Sequence, residues 1–407
     1  MIKNWSIVFV SLLLCSHLVV SQTVKAGQWR AAIRRSGHEL PFGLELSPKA
    51  GGKFGVLALN GTEKLPLDDA YFEKDSLHIP MLMFDSDLVV KVSGNEMIGF
   101  WKKLRNGNWV SVLPFKAQFG YDYRFIKNKT KTTHNVSGKW ATYFYKPNGD
   151  STFAVGVLSQ QGLKLSGTFL TPTGDYRYLA GDVQGDSLFL SCYDGSHAYM
   201  FRAAIGANGQ IKGGLWAGVL GFQKFRMVRD EAAALIPPTQ LTYLKEGFDA
   251  IDFSFKTPQG QTVSLKDERF KNKVVILQIM GTWCPNCMDE TKFLAPWYKK
   301  NRSRGVEIIG LSFEHTLDMA ISGPKIERTN KRFGVQYPVV LAGTDNADAG
   351  KALPMLNRIA GYPTTIFIDR KGKVREIHTG FSGPGTGKYY DDFVEEFNQL
   401  ITKLLSE

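Results

Sequence analysis

The chain has 407 residues, too many for one ordinary core, and its 43% hydrophobic and 22% charged content is that of a globular rather than a disordered protein. A net charge of +12 invites an anionic partner, but no nucleic-acid motif accompanies it. The basic stretches KKLR (102–105) and RFIKNKTK (124–131) therefore read as solvated surface, and no nucleic acid is expected.

Residues 1–22 open with one Lys, continue as the apolar run WSIVFVSLLLCSHLVV and end in small residues, the pattern of a cleaved secretory signal. The run is short for a membrane anchor. Leu14 before Cys15 is larger than lipoprotein signals allow, so no lipid anchor is expected there. The mature protein is then expected outside the cytoplasm, in a periplasm or its equivalent.

Residues 23–230 carry short alternating runs such as KFGVLAL, TFAVGVL and DSLFLSCY, punctuated by Gly, Asn or Asp, which predicts an antiparallel all-β domain. Trp29, Asp75-Ser76-Leu77, Phe84-Asp85 and Gly99-Phe100-Trp101 recur as Trp140, Asp186-Ser187-Leu188, Tyr193-Asp194 and Gly214-Leu215-Trp216. The spacing of roughly 110 residues makes this an internal duplication of one meander. Two copies closing together into one barrel or sandwich would remove exposed strand edges, with tandem barrels as the alternative. Cys192 falls on the face of Leu188 and Leu190 and reads as a core residue. His38, His78, His134 and His197 lack metal-ligand spacing. Residues 231–244, with Pro237-Pro238, read as a stiff linker.

From residue 245 to 407 the pattern is an alternating α/β one. A hairpin around Pro258-Gln259-Gly260 precedes a buried strand, VVILQIM (274–280). A helix after Cys287 leads to a parallel strand at 307–313, a helix from Pro324, strands at PVVLAG, TTIFID and KVREIH, and a closing amphipathic helix from Lys388. The two domains together predict a multidomain fold: an internally duplicated β domain, then an α/β domain whose apolar strand ending at Trp-Cys-x-x-Cys, followed much later by a Pro-led strand, resembles the thioredoxin order.

The motif GTWCPNCMDE (281–290) carries the chemistry. At a helix start Cys284 is the N-cap and Pro285 takes N1, where its missing N–H costs nothing. Free amide N–H groups and the positive end of the helix dipole favour a thiolate, lowering a thiol pKa from about 8.5 toward about 7. Cys284 is then the nucleophile, and Cys287, one turn inward, resolves the mixed disulfide. A zinc site would need more ligands than follow, so no metal is expected. A purely structural disulfide over so short a loop would constrain the unfolded chain little. No cofactor beyond the Cys284–Cys287 disulfide is called for.

VVILQIMGTWCPNCMDE, followed by GYPTTIFIDRKGKV, resembles the TlpA/ResA-like thiol–disulfide oxidoreductases, thioredoxin-fold proteins of bacterial envelopes. The likeness covers about 160 residues and leaves the β domain unexplained. The resemblance implies that Pro363 is a cis-proline facing the cysteines. It makes Tyr362, Pro363 and Thr364 the substrate-binding loop, with Trp283 covering the pair. Glu290 matches the family's active-site glutamate, against a plain reading as a solvent-facing helix residue. Gln278 stands where thioredoxins keep a buried Asp, and the Pro-Asn dipeptide between the cysteines is neither Gly-Pro nor Pro-His, so the redox potential is left open. Pro296 lies within the helix, where a kink is expected. Peroxiredoxins share the fold but need Pro-x-x-x-Thr-x-x-Cys, which Thr282-Trp283-Cys284 does not supply. The resemblance thus implies reduction of envelope protein disulfides, electrons from a membrane thiol donor, and protein thiols or disulfides as partners, apocytochrome c among them. A rival reading gives the β domain the main function, as a ligand- or partner-binding module, with the thioredoxin domain accessory.

Overall fold

The computed structural model describes residues 23–105, 108–128, 130–218, 221–346 and 349–407. The expected leader, with Cys15, lies outside the described residues. Two antiparallel β sheets come first, and a mixed α/β unit follows.

The two copies of the meander begin alike. Gly27 and Gly138 take φ of +116° and +118°, a backbone that side chains disfavour. Two residues on, Trp29 and Trp140 are buried, and each indole N–H donates to the carbonyl four residues back, Lys25 at 3.0 Å and Val136 at 2.9 Å.

The copies then differ in closure, and they do not close together into one barrel as expected. Each makes its own sheet. The first copy, from Gly27–Arg35 to Asn108–Phe119, is a nine-stranded half-barrel whose edges, Glu63–Pro66 and Tyr71–Glu73, are not paired with each other. A bridge between Phe54 and Ala70 spans the gap. In the second copy Lys164–Thr171 pairs on one side with Ser151–Gln161 and on the other with Leu179–Gln184, closing an eight-stranded barrel. Its partner Leu179–Gln184 has six residues, whereas the counterpart Tyr71–Glu73 of the first copy has three.

The barrel interior is filled. Phe144, Phe169, Phe201 and Phe225 pack with ring centroids 4.8 to 6.4 Å apart. Cys192 is fully buried among them with Leu188 and Leu190. The half-barrel closes its own core on the barrel's outer side, where Tyr193 stacks on Phe42 at 4.3 Å and meets Trp101 edge-on at 5.9 Å. Part of the basic surface expected from the sequence is recruited here. Half-buried Arg124 donates to the Leu59 and Ser191 carbonyls, the Asn60 side-chain oxygen and the Ser191 hydroxyl, and Lys103 donates to the Ser196 carbonyl at 2.8 Å. Both residues link the half-barrel to the barrel.

In the C-terminal unit the seven strands run in the order Thr262–Ser264, Ser254–Lys256, Val339–Thr344, Val306–Glu314, Val274–Met280, Thr364–Ile368, Val374–Thr379. Val274–Met280 is parallel to Val306–Glu314 and antiparallel to Thr364–Ile368. Alternation along Val274–Met280 sends Val275, Leu277 and Ile279 to one face, with Phe253 and Leu356. Val274 and Ile276 point to the other, against α1 (Pro285–Asn301), α2 (Met319–Phe333) and α3 (Lys388–Ser406). Gln278 shares the face of α1. Helix α1 continues through Pro296, and α2 starts five residues before Pro324 because the Asp318 side chain accepts the Ala320 N–H at 2.9 Å.

The α/β unit is docked on the β domain by charge. From α2, Lys325 pairs with Asp85, Arg332 with Asp68 at 2.9 Å, and Arg328 donates to the Leu82 carbonyl at 2.6 Å. Among the described residues no helix is long and apolar enough to cross a membrane.

Candidate functional site

Cys284 and Cys287 are joined as a disulfide at the N-terminus of α1, with Cys284 as N-cap in extended backbone and Pro285 at the first helical position. The Cys287 N–H donates to Cys284 Sγ at 3.2 Å. In the reduced chain the same amide is a donor available to a Cys284 thiolate. Cys284 is 6% exposed and Cys287 fully buried, so the outer sulfur is the one a substrate can meet.

The turn before Cys284 is held from the sheet. Glu314, buried at the end of Val306–Glu314, accepts the Thr282 N–H at 2.9 Å, the Thr282 hydroxyl at 2.7 Å and the Ser312 hydroxyl at 2.6 Å. Burial pushes its carboxyl up, against those three donors. Trp283 donates its indole N–H to the Phe313 carbonyl at 2.9 Å, stacks on His315 and meets Tyr362 edge-on at 5.3 Å. It thereby walls one side of the cysteine pair.

The Tyr362–Pro363 peptide is cis, and its Tyr362 carbonyl oxygen lies 3.6 Å from Cys284 Sγ. Pro363 is buried, and its carbonyl accepts the Gly380 N–H at 2.8 Å. Thr364 is turned inward, fully buried, with its hydroxyl donating to the Gly361 carbonyl at 2.8 Å. Its side chain fixes the loop and offers a substrate no contact. Tyr362 and the backbone around it are the part of this loop that faces the outer sulfur.

Glu290 is buried, 1% exposed, and not a surface residue of the helix. Thr365 donates its hydroxyl to one carboxylate oxygen at 2.6 Å and the Gln278 amide donates to the other at 2.9 Å. Burial raises its pKa to about 7, although both hydrogen bonds oppose the rise. A carboxyl half-ionised near neutrality, one helical turn from Cys287, is placed to exchange a proton. Gln278 is part of this arrangement and not merely a missing Asp.

The sequence thus put Trp283, Cys284, Cys287, Glu290, Tyr362 and Pro363 at one place, and the fold gathers them there. It missed Glu314, Thr365 and the β domain's share. Glu314 had a signal, a carboxylate ending an apolar parallel strand at the edge where α/β folds build their sites. The β domain had none. The barrel turn from Thr171 to Asp175 lies over the site, so that Gly361 is packed on Thr173 and Gly174 on Asn286 with no room for a Cβ at either glycine. Asp175 accepts the Gly383 N–H at 2.8 Å, and Asn286 reaches the Asp175 carbonyl at 3.4 Å. Buried Arg177 bonds Glu63 of the half-barrel at 2.7 Å and Asp289 of α1, with Asp194 3.7 Å away. Three carboxylates around it keep the guanidinium charged despite burial. Among the described residues no group of three or more His, Cys, Asp or Glu side chains is arranged to hold a metal ion.

Residues 247–377 match the model of the AhpC/TSA family. Over 137 residues the chain is 32% identical to the thiol-disulfide oxidoreductase ResA of Bacillus subtilis, a match covering 34% of this chain and 69% of that one. Over 146 residues it is 31% identical to ResA of Geobacillus thermodenitrificans, covering 35% and 74% respectively. Among solved structures, a thiol:disulfide interchange protein of the thioredoxin family from Chlorobium tepidum aligns at 23% identity with a TM-score of 0.30, covering 42% of this chain and 99% of that one.

Proposed function

The chain belongs, through its C-terminal domain, to the ResA family of thiol–disulfide oxidoreductases, and we propose that it reduces protein disulfides outside the cytoplasm through a Cys284–Cys287 dithiol. The observation that carries this reading is the placement of Cys284 Sγ. It caps a helix, accepts an amide N–H, and is the outer member of the pair. In the reduced chain the Cys284 thiolate attacks one sulfur of a substrate disulfide, and the other sulfur leaves as a thiolate. Cys287, deprotonated toward Glu290, then attacks Cys284 Sγ. The second substrate thiol leaves, two electrons having passed from the dithiol to the substrate.

Trp283 and Tyr362 form the walls against which the substrate sulfur is positioned. No cofactor enters the scheme. Regeneration of the dithiol needs a thiol donor, and a membrane dithiol protein is the donor that an exported chain would meet. The apolar leader read in residues 1–22 supports the location. The packed phenylalanine core of the barrel speaks against a ligand held inside it.

A redox titration of the Cys284–Cys287 couple tests the direction of electron flow. A reductant is expected near the thioredoxin value of about −270 mV, and a midpoint near about −120 mV would make the chain an oxidant instead.

A further inference from the structure

The site is roofed by another part of the same chain. Beside Cys284 and Tyr362 stand the barrel residues Thr173, Gly174, Tyr176 and His197, and between them and the sulfur lies a pocket of about 430 Å³ that opens to solvent. The roof is fastened on three sides. Arg177 pairs with Asp289 of α1, Asp175 accepts the Gly383 N–H, and the Ser196 hydroxyl lies 3.5 Å from the Trp283 carbonyl. Even a weak redox encounter between folded proteins covers up to roughly 600 Å² on each partner. The barrel turn packs on Gly361 and Asn286, beside Cys284 on the surface such an encounter would use, and Cys284 is only 6% exposed. A cavity of this size is in the range that admits a small molecule.

We propose that the barrel is a built-in cap on the redox site that sorts disulfides by size: closed, it lets only a low-mass disulfide reach Cys284, and a folded protein's disulfide is reduced only after the turn from Thr171 to Asp175 lifts. This rests on the oxidoreductase reading above and adds to it a gate. The chemistry is the same for both substrates. A disulfide R–S–S–R and the protein dithiol become two R–SH and the Cys284–Cys287 disulfide, and the cap changes only the access to Sγ.

The test uses the full chain, reduced with dithiothreitol and freed of it, mixed rapidly with 2-hydroxyethyl disulfide or with insulin. Wild type is expected to react at least about tenfold faster with the small disulfide. Asp289→Asn with Asp175→Ala, which unfastens the roof from the α/β unit, is expected to raise the insulin rate at least about tenfold while the small-disulfide rate moves less than about threefold. The ratio of the two rates cancels any change in thiol reactivity. Hydrogen exchange at the Gly361 and Tyr362 amides reads independently whether the roof has lifted. Equal rates with both disulfides in wild type overturn the cap, as does an unchanged insulin rate in a variant whose Gly361 and Tyr362 amides exchange faster. Reaction with neither disulfide overturns the oxidoreductase reading itself, and the cap with it.

Discussion

Glu290 is where a proton and a stability cost meet. Its folded pKa of about 7 stands above the ordinary 4.5, so between those values the folded chain holds a proton that the unfolded chain has released. Stability therefore falls as pH rises through this window, by roughly 2–3 kcal/mol between pH 5 and pH 8. Glu290→Gln removes that fall, and urea unfolding of both proteins at the two pH values measures it. Identical pH slopes would show that folding leaves the Glu290 pKa at its unfolded value. The same substitution is expected to slow resolution of the mixed disulfide by about 10²-fold and to spare the first attack, which stopped-flow with quenched intermediates separates. Cys287→Ser is expected to trap substrate on Cys284 as a mixed disulfide that dithiothreitol releases. If no thiol-releasable adduct accumulates, Cys284 is not the attacking sulfur.

At the scale of the element, the site hangs from a strand end and a helix start. Glu314 ties the turn at Thr282 to Val306–Glu314 with two of its three hydrogen bonds. Glu314→Ala leaves buried donors without an acceptor and is expected to destabilise the fold by about 2–4 kcal/mol, with faster amide exchange at residues 281–284. Unchanged exchange there would mean that α1 alone fixes Cys284. The strand runs and the Trp-Cys-x-x-Cys helix were legible in the sequence because an apolar run bounded by a cap has few readings. The start of α2 was not. Pro324 looks like a first-turn residue, and only the Asp318 side chain, bonded to Ala320, shows that the helix is already under way. Glu290 was ambiguous for a related reason, since a helical carboxylate normally faces water and only Gln278 and Thr365 opposite it make burial tolerable. Closure of the second copy was illegible because short alternating runs state which faces are apolar, not which distant edges meet.

For the whole molecule, the half-barrel, barrel and α/β unit share one ion cluster, with Arg177 among Glu63, Asp194 and Asp289. Removing the guanidinium leaves buried Asp194 and half-buried Glu63 and Asp289 facing one another, and a broken network costs more than its pairing contributes. Arg177→Met is expected to lose about 3–5 kcal/mol and to melt the half-barrel and barrel apart from the α/β unit. Calorimetry is then expected to show two transitions, against one for wild type. A loss under about 1 kcal/mol would show the cluster to be hydrated instead. None of this network follows from the residues taken one at a time, since its members lie far apart in sequence.

Cys192 has a consequence for how the chain is made. Among the described residues it is a third thiol besides the reactive pair, and an unpaired thiol in an oxidising compartment invites mispairing. The barrel that encloses it lies wholly upstream of Cys284, so during vectorial synthesis or export it can fold and hide this sulfur before the other two emerge. The order of the domains along the chain is then itself a chaperone of disulfide pairing. Moving the α/β unit to the N-terminus by circular permutation would expose the three thiols together, and scrambled Cys192 linkages, absent from the natural order, are the expected product on a mass map.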